Sequence, residues 1–522
     1  MSDKTNTRQS LGRKASGLVS SYYPGQLLGV LITSVTFVLI TRILGPSGYG
    51  IYVFAFGFAG LVDAFGNFGI GSYVSRNISK FGSAGDKHGI SKTVSIGYAL
   101  LLPMALLLSL VGAGLSPYVA SVFSKAGTDT LALILVSLFI FFAMLESTSV
   151  HMLLGFGKGK EAALLNISVD IMQLIASVSL ALEFGTNGAI AGTLIGYVIG
   201  AALAVYTVYA LMKSRHIAMR MPSRAELSGA LGFAAPLGVN NFMNVAAQNL
   251  AIMLLGIYAS KVAIGNYGVA MKGLAVITIV YSTMATLLLP IFAASGASPR
   301  RKKGLYSKIL TYSIAFTMPL VLYMAVFSRA GVYLLLSKSY GSAPLYLTLM
   351  SVGIMISLPS FYLIILIISE GHTLKILKYN LLVFLIEIAS LFLLVGWLRL
   401  GPAGNIIAVF FIGGVLQNIF MIRIMKRVLG SGPDMGRLAR IYLSNAALGV
   451  LLLLVLLIRE PYIELAAGLA MLIMVYPIVL FAFRALDSRD IESIRKSTEG
   501  VPFIGCAVGT FARVLGAFSH CT

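Results

Sequence analysis

The chain has 522 residues, 58% of them hydrophobic and 11% charged, with a mean hydropathy of +0.91. Soluble domains average roughly 45–50% apolar and about 25% charged residues, so an ordinary soluble enzyme, a disordered chain and a coiled coil are excluded, and most of this surface faces lipid. The 39 Lys and Arg against 18 Asp and Glu leave a net charge of +21, and where those charges fall decides whether they serve nucleic acid or a membrane.

Met1 to Ala15 is polar and basic. The apolar stretch that follows is too long for a signal-peptide core and lacks a small-residue cleavage pattern, so it reads as an uncleaved first span at 18–42. A spanning helix needs about 20 apolar residues. Further spans fall at 49–71, 92–115, 129–154, 161–183, 187–212, 227–256, 262–294, 305–328, 343–369, 375–398, 402–425, 438–458 and 461–484. The expectation is an all-α integral membrane protein of about 14 transmembrane helices in two pseudo-symmetric six-helix lobes plus two extra C-terminal helices. Its parts are a cytoplasmic segment 1–17, an N-lobe 18–215, a C-lobe 216–427, helices thirteen and fourteen in 428–484, and a cytoplasmic tail 485–522. In the tail, Asp487 to Arg495 reads as a short charged helix. Phe503 to Phe518 is apolar but too short to span, and suits either the membrane interface or disorder.

Charge sign was not used to draw this map, so the positive-inside rule tests it. With the N-terminus in the cytoplasm, the inside segments carry 31 Lys and Arg and the outside loops carry 7. Both termini are then cytoplasmic in a multi-pass protein of the plasma membrane. The excess charge is a topogenic signal and a contact for membrane lipids, not a nucleic-acid surface.

The halves look related. Pro24 precedes a loop leading into Gly50-Ile51-Tyr52-Val53-Phe54-Ala55, and Pro236 precedes one leading into Gly265-Asn266-Tyr267-Gly268-Val269-Ala270. Both read G-x-Y-x-x-A at the head of a helix. Six spans lie between them, and an even number makes the repeat parallel. Transporters built this way bind substrate between their halves.

Charges inside spans are costly and normally face a bundle interior or a wet cavity. Asp63, Glu146, Asp170, Lys272 and Glu387 qualify, with Asp170, Lys272 and Glu387 near mid-membrane. An acid so placed either neutralises or pairs to lock helices, or serves a cavity. Lys272 either neutralises at moderate cost or acts as a counter-ion for something anionic that passes by. Uncharged stripes accompany them at helical spacing: Gln26, Thr33 and Thr36; Asn241, Asn244 and Gln248; Asn166, Asp170, Gln173 and Ser177; Asn380 with Glu387. Any one stripe suits interhelical hydrogen bonding, whereas four together favour a wet interior whose amides and hydroxyls match sugars. Intramembrane prolines such as Pro103, Pro319 and Pro359 are static kinks or hinges.

Enzyme chemistry finds no support. Cys506 and Cys521 are the only cysteines, the five histidines are scattered, and no metal motif, Walker A loop or nucleophile elbow occurs. No catalytic residue, metal or cofactor is expected.

Arg42-Ile43-Leu44-Gly45-Pro46-Ser47-Gly48-Tyr49-Gly50-Ile51-Tyr52 resembles the signature after the first helix of prokaryotic polysaccharide-export flippases. Phe68-Gly69-Ile70-Gly71 followed by Arg76, and Gly265 to Lys272 ending in Leu289-Pro290, resemble two more. That family is the polysaccharide transporter branch of the multidrug/oligosaccharidyl-lipid/polysaccharide exporter superfamily. The resemblance implies fourteen helices in two lobes, with helices one, two, seven and eight lining a central cavity that includes Arg42, Arg76 and Lys272. It implies translocation of a polyprenyl-linked oligosaccharide or polysaccharide repeat unit by alternating access. Lys272 would meet phosphate or acidic sugar, the drive would be either H+ or Na+ coupled through a buried acid or product removal on the far side, and glycan-assembly enzymes are candidate partners. One departure is that 249–256 lacks the acid the family often has near the end of helix seven. The alternative is a multidrug/cation antiporter of the same superfamily, disfavoured because helices one and seven hold no acid, although Asp63 or Asp170 could substitute; a third reading is a lipid scramblase or a structural scaffold in an export assembly.

Overall fold

The computed structural model describes the backbone of residues 2–485, apart from 67, 68, 124, 126, 128, 295–298, 371, 431 and 459. Side chains are described from residue 25 onward except at 233, 236, 237, 240, 241, 244, 279–305, 308, 369, 373, 374 and 429. The tail beyond 485, including the expected helix at Asp487 to Arg495, lies outside the described residues.

The described chain is helical throughout, as a lipid-facing backbone requires when no water is present to pair its N–H and C=O groups. The helices are α1 (Ser2–Ala64), α2 (Ile70–Ser83), α3 (Lys87–Val122), α4 (Thr130–Gly155), α5 (Gly159–Ser214), α6 (Arg224–Tyr258), α7 (Lys261–Ala294), α8 (Pro299–Val326), α9 (Ser328–Leu335), α10 (Ala343–Ser369), α11 (Thr373–Leu391), α12 (Gly401–Ile406), α13 (Gly414–Leu429), α14 (Met435–Val455) and α15 (Pro461–Ala482). Two π-helical turns, Phe392–Trp397 and Ile407–Gly413, adjoin α11 and α12. Among the described residues, ten helices are long and apolar enough to cross a membrane. The protein is a multi-pass, all-α membrane protein.

Two of those ten are broken inside. α1 is interrupted at Gly45 (φ 63, ψ 179) and α5 at Gly185 (φ 57, ψ −132), conformations that a Cβ makes costly. α5 has 56 residues, roughly 84 Å of helix at 1.5 Å per residue, against a hydrocarbon core of about 30 Å. The chain folds back at Gly185. Gly188, Gly192, Gly196 and Gly200 face Leu180, Ser177, Gln173 and Val169 respectively, so close that an added Cβ would clash at each. Glycine at four-residue spacing lets two antiparallel segments meet backbone to backbone. The second expected span was drawn to residue 71. Its helix stops at Ala64, and Gly69 (φ 73) turns the chain into the separate α2.

Helix starts follow ordinary capping chemistry. Asp86, Asp129 and Asp434 accept from the N–H groups of Gly89 (2.9 Å), Ala132 (2.8 Å) and Arg437 (3.1 Å). Ser223 and Glu226 form a reciprocal capping box at α6.

The chain divides into two compact units, one ending at Gly265 and the other beginning at Asn266. In the first unit, α1 runs beside α5, with Gly25 against Ala163 and Gly29 against Asp170. Beyond Gly45, α1 packs antiparallel on α6: Gly57 meets Ile252, Gly60 meets Asn249, and the rings of Phe65 and Phe242 lie 4.9 Å apart. An aromatic line from Tyr49 through Tyr52, Phe56 and Phe139 to Tyr197, with centroids 4.6–5.8 Å apart, ties the same segment to α4 and α5.

In the second unit, α8, α10, α13, α14 and α15 surround a core that includes Tyr306, Met318, Tyr362, Met421, Ile441 and Tyr476. Some of its buried polar groups pair across helices. Thr317 meets Tyr362 at 2.7 Å, and the Tyr476 hydroxyl donates to the Ala315 carbonyl at 2.8 Å. Asn266 Oδ1 accepts from the N–H groups of Ser342 (3.1 Å) and Ala343 (2.9 Å), satisfying the start of α10.

Candidate functional site

Lys272 lies on α7 eleven residues after Lys261, roughly 16 Å into the helix at 1.5 Å per residue. Its side chain is exposed in an otherwise apolar helix, and no hydrogen bond or ion pair holds it among the described residues. A cation kept in place by a structural carboxylate looks different. Here the charge is presented to whatever occupies the space beside α7.

The first unit gathers two of the predicted acids. Glu146, buried on α4, and Asp170, half-buried on α5, lie within electrostatic range of each other, and both act on Tyr197. The Asp170 carboxylate fits where α1 has no side chain: a Cβ on Gly29 would stand 2.6 Å from Asp170 Oδ2. On the other side, a Cβ on Gly200 would stand 3.7 Å from Glu146 Cγ.

Asp63 stands apart from them. It is half-buried near the end of α1, three residues beyond Gly60 on the row that faces α6, and its carboxylate makes no hydrogen bond or ion pair among the described residues. Glu387, in the second unit, is half-buried against the π-helical turn Ile407–Gly413, where only the absence of a Cβ at Gly413 admits its Oε1. π-helical turns recur at functional sites because they disturb the regular carbonyl ladder.

The polar stripes divide. Thr33 is exposed, but its hydroxyl donates to the Gly29 carbonyl at 2.9 Å. Thr36 is buried and donates to the Ile32 carbonyl at 2.9 Å. These hydroxyls are satisfied by their own helix. Gln26 is half-buried and Gln248 is exposed. The side chains of Asn241 and Asn244 lie outside the described residues. Arg42, three residues before the Gly45 break, and Arg76 on α2 are both exposed and both engaged by other residues.

Equivalent features recur in the two units. Tyr52, of the first G-x-Y-x-x-A motif, meets Thr193 at 3.2 Å, and Tyr267, of the second, lies beside Asn405. The left-handed break at Gly185 (φ 57) in the first unit has a counterpart at Gly401 (φ 56) in the second. An acid precedes each break, Asp170 and Glu387.

A network that the sequence did not reveal lies at the start of α6. Glu226 pairs with Lys92 of α3 at 2.9 Å and with Arg220 at 2.5 Å while its backbone closes the capping box with Ser223. The hydrogen bond from the Ser223 N–H, then the Lys92 and Arg220 charges, hold the Glu226 carboxyl down to about 2 from its ordinary 4.5. The approaching loop is fixed too: Ser91 donates to the Ala218 carbonyl, and the Arg220 N–H donates to Ser95 at 3.2 Å.

Comparison with known proteins gives a consistent picture. A family model described as "Polysaccharide biosynthesis protein" matches residues 19–295, more than half of the chain. No curated protein matches. Among solved structures, the lipid II flippase MurJ in an inward closed conformation is similar with a TM-score of 0.70, at 15% identity, over 90% of this chain and 99% of that one. An inward-facing multidrug resistance MATE family transporter of the MOP superfamily gives 0.61 at 16% identity, over 77% of this chain and 95% of that one. A MOP superfamily transporter from Pyrococcus furiosus, with a binding pocket of reversed polarity, gives 0.54 at 17%, over 79% of this chain and 96% of that one. At these identities the likeness is one of fold.

Proposed function

Because the chain belongs to the polysaccharide biosynthesis protein family, a family of membrane transporters and not of enzymes, we propose that it is a flippase that carries a polyprenyl-linked oligosaccharide or polysaccharide repeat unit across the cytoplasmic membrane by alternating access. The observation that carries this reading is Lys272, an exposed cation within an apolar helix that lacks a protein counter-ion among the described residues. A diphosphate or acidic sugar of the cargo supplies the missing anion. The MurJ neighbour, itself a flippase for a lipid-linked substrate, supports the same cargo class.

In the architecture we propose, fourteen helices form two pseudo-symmetric lobes, 18–215 and 216–427, followed by two helices in 428–484, with both termini in the cytoplasm. The breaks at Gly45 and Gly185, which divide two of the ten apolar helices, support this count. So do the paired features Tyr52–Thr193 and Tyr267–Asn405, and Gly185 and Gly401. The cargo's headgroup enters from the cytoplasmic side with its lipid tail left in the bilayer. Lys272 meets its phosphate, and Gln26, Gln248, Arg42 and Arg76 are candidate contacts for the glycan. Glu146 with Asp170, and separately Asp63 and Glu387, are the candidates for an H+ or Na+ that couples the cycle. The MATE neighbours together with the Glu146–Asp170 pair support a second reading, cation-coupled drug export by the same fold.

Substitution of Lys272 separates a cargo contact from a structural cation. If Lys272 were half of a buried pair, removing it would cost about 3–5 kcal/mol and deplete folded protein. The expected result is that Lys272→Met reaches the membrane at normal abundance and loses transport, while Lys272→Arg keeps part of it. Wild-type transport by Lys272→Met removes the residue from the site.

A further inference from the structure

The two G-x-Y-x-x-A motifs touch each other, and they do so reciprocally. A Cβ on Gly50 would overlap the carbonyl oxygen of Lys261 and stand 3.0 Å from the Gly265 nitrogen. A Cβ on Gly265 would overlap the carbonyl oxygen of Pro46 and stand 3.0 Å from the Gly50 nitrogen. Lys261 precedes Gly265 by four residues, and Pro46 precedes Gly50 by four. Each motif therefore lays its glycine on the first turn of the other's helix, the pattern a local two-fold axis produces.

Neither glycine has a positive φ. The requirement is for space, and the atoms in the way are backbone, which cannot swing aside. Further along α1, where its partner is α6, the approach is to side chains: Gly57 faces Ile252, and Gly60 faces Asn249. The tightest closure is thus at the Gly50–Gly265 end. At the two glycines themselves, the atoms of closest approach are backbone carbonyl oxygens and nitrogens. The contact consists of dispersion and Cα–H···O approaches, which are weak, short-ranged and lost together on a small separation. The two glycines part and reseal without themselves leaving a buried charge or an unpaired side-chain donor, and they admit no added atom when shut.

We propose that the Gly50–Gly265 contact is a glycine-only seal at one end of the translocation path, the outer end in the proposed topology, and that it opens and closes in each transport cycle. This rests on the alternating-access reading above and adds to it the element that closes one side.

The test begins from a chain with Cys506 and Cys521 replaced by serine and with Ala251→Cys, a fully buried position on α6, as reporter. An impermeant maleimide is applied to intact cells. Gly50→Leu or Gly265→Leu should hold the seal open and raise the labelling rate by about tenfold or more, the response to a population shift of about one decade. Gly114→Leu, at a helix glycine with open space around it, should leave the rate unchanged. The labelling arm does not depend on the cargo, so it succeeds even if the glycan assignment fails. A second arm keeps both glycines: Ser47→Cys with Val262→Cys, joined by a short cleavable bis-thiol crosslinker, should stop transport until the linker is cleaved. An unchanged labelling rate in an abundant Gly50→Leu protein, or transport that continues while crosslinked, overturns the seal. If the leucine variants do not reach the membrane, the crosslink result decides.

Discussion

Two ends of the first unit are held by opposite means. Where α1 resumes after Gly45, closure is bare backbone on bare backbone, Gly50 and Gly265 each against the other's first turn. Where α6 begins, closure is ionic: Glu226 is gripped by Lys92 and Arg220, the loop before it is tied by Ser91 and Ser95, and the helix is capped by Ser223. The difference teaches what each contact is for. Charged hydrogen bonds tolerate small shifts in geometry but cost desolvation and entropy to make and remake. A glycine contact has no such reserve, yet it separates without stranding a charge. The first suits a fixed joint and the second a moving one.

The largest effect expected from that contrast is at the glycines. Overpacking a closed contact costs about 1–3 kcal/mol, and 1.4 kcal/mol is a factor of ten. Gly265→Leu should therefore reduce glycan transport by on the order of a hundredfold, measured as surface glycan per unit of membrane protein. A loss below about threefold would mean the contact is loose in the working protein.

Breaking the ionic joint should do less. Glu226→Gln removes the shared carboxylate but keeps the capping hydrogen bond. Transport should stay within about threefold of wild type, while the Tm of the detergent-purified protein falls by a few degrees. Abolished transport with an unchanged Tm would reverse the roles assigned to the two ends.

A pH series sharpens the same point. The Glu226 carboxyl is held down to about 2, so its stabilising contribution is complete above its ordinary 4.5 and is lost as pH falls towards 2. The Tm difference between wild type and Glu226→Gln should then be constant from pH 5 to 8. A difference that grows or vanishes within that range would mean the carboxylate is not gripped as described.

The smallest effect is a control. Gly114 lies in α3 with nothing within 4 Å of a Cβ built on it. Gly114→Ala should raise stability by about 0.4–1 kcal/mol through the unfolded chain and leave transport unchanged. Impaired transport there would show that glycine substitution disturbs this protein wherever it is made.

How much of this was legible in the sequence follows from the range over which each feature is determined. Apolar windows are local, so the helices could be drawn from composition, and the gap left between 183 and 187 falls on the Gly185 break. The stretch Phe65 to Gly71 keeps Phe65, Phe68 and Ile70 among its glycines, so the span was carried on through the point where Gly69 turns the chain. The π-helical turns beside Glu387 differ from α-helix by one residue of hydrogen-bond register and leave no compositional mark.

The candidate site was legible as a list and not as an arrangement. Intramembrane charges announce themselves because they are expensive, which brought out Lys272, Asp170 and Glu146. Whether they pair is tertiary information: Glu146 and Asp170 converge, whereas Lys272 meets no carboxylate among the described residues. Thr33 and Thr36 read as a wet stripe, yet their hydroxyls turn back on their own helix. The two glycine motifs were visible as a repeat, but their mutual contact joins residues more than two hundred positions apart.

The central claim is that this protein moves a lipid-linked glycan and that Lys272 meets its anionic headgroup. The direct measurement is reconstitution of purified protein into vesicles loaded with a fluorescent polyprenyl-diphosphate oligosaccharide, with headgroup exposure read by an impermeant glycan-cleaving enzyme. Wild-type protein should bring the protected inner-leaflet pool to the enzyme, Lys272→Met should leave it protected, and Lys272→Arg should fall between them. Wild-type vesicles that leave the glycan protected while driving a cationic dye against a proton or sodium gradient would contradict the account and establish the antiporter in its place.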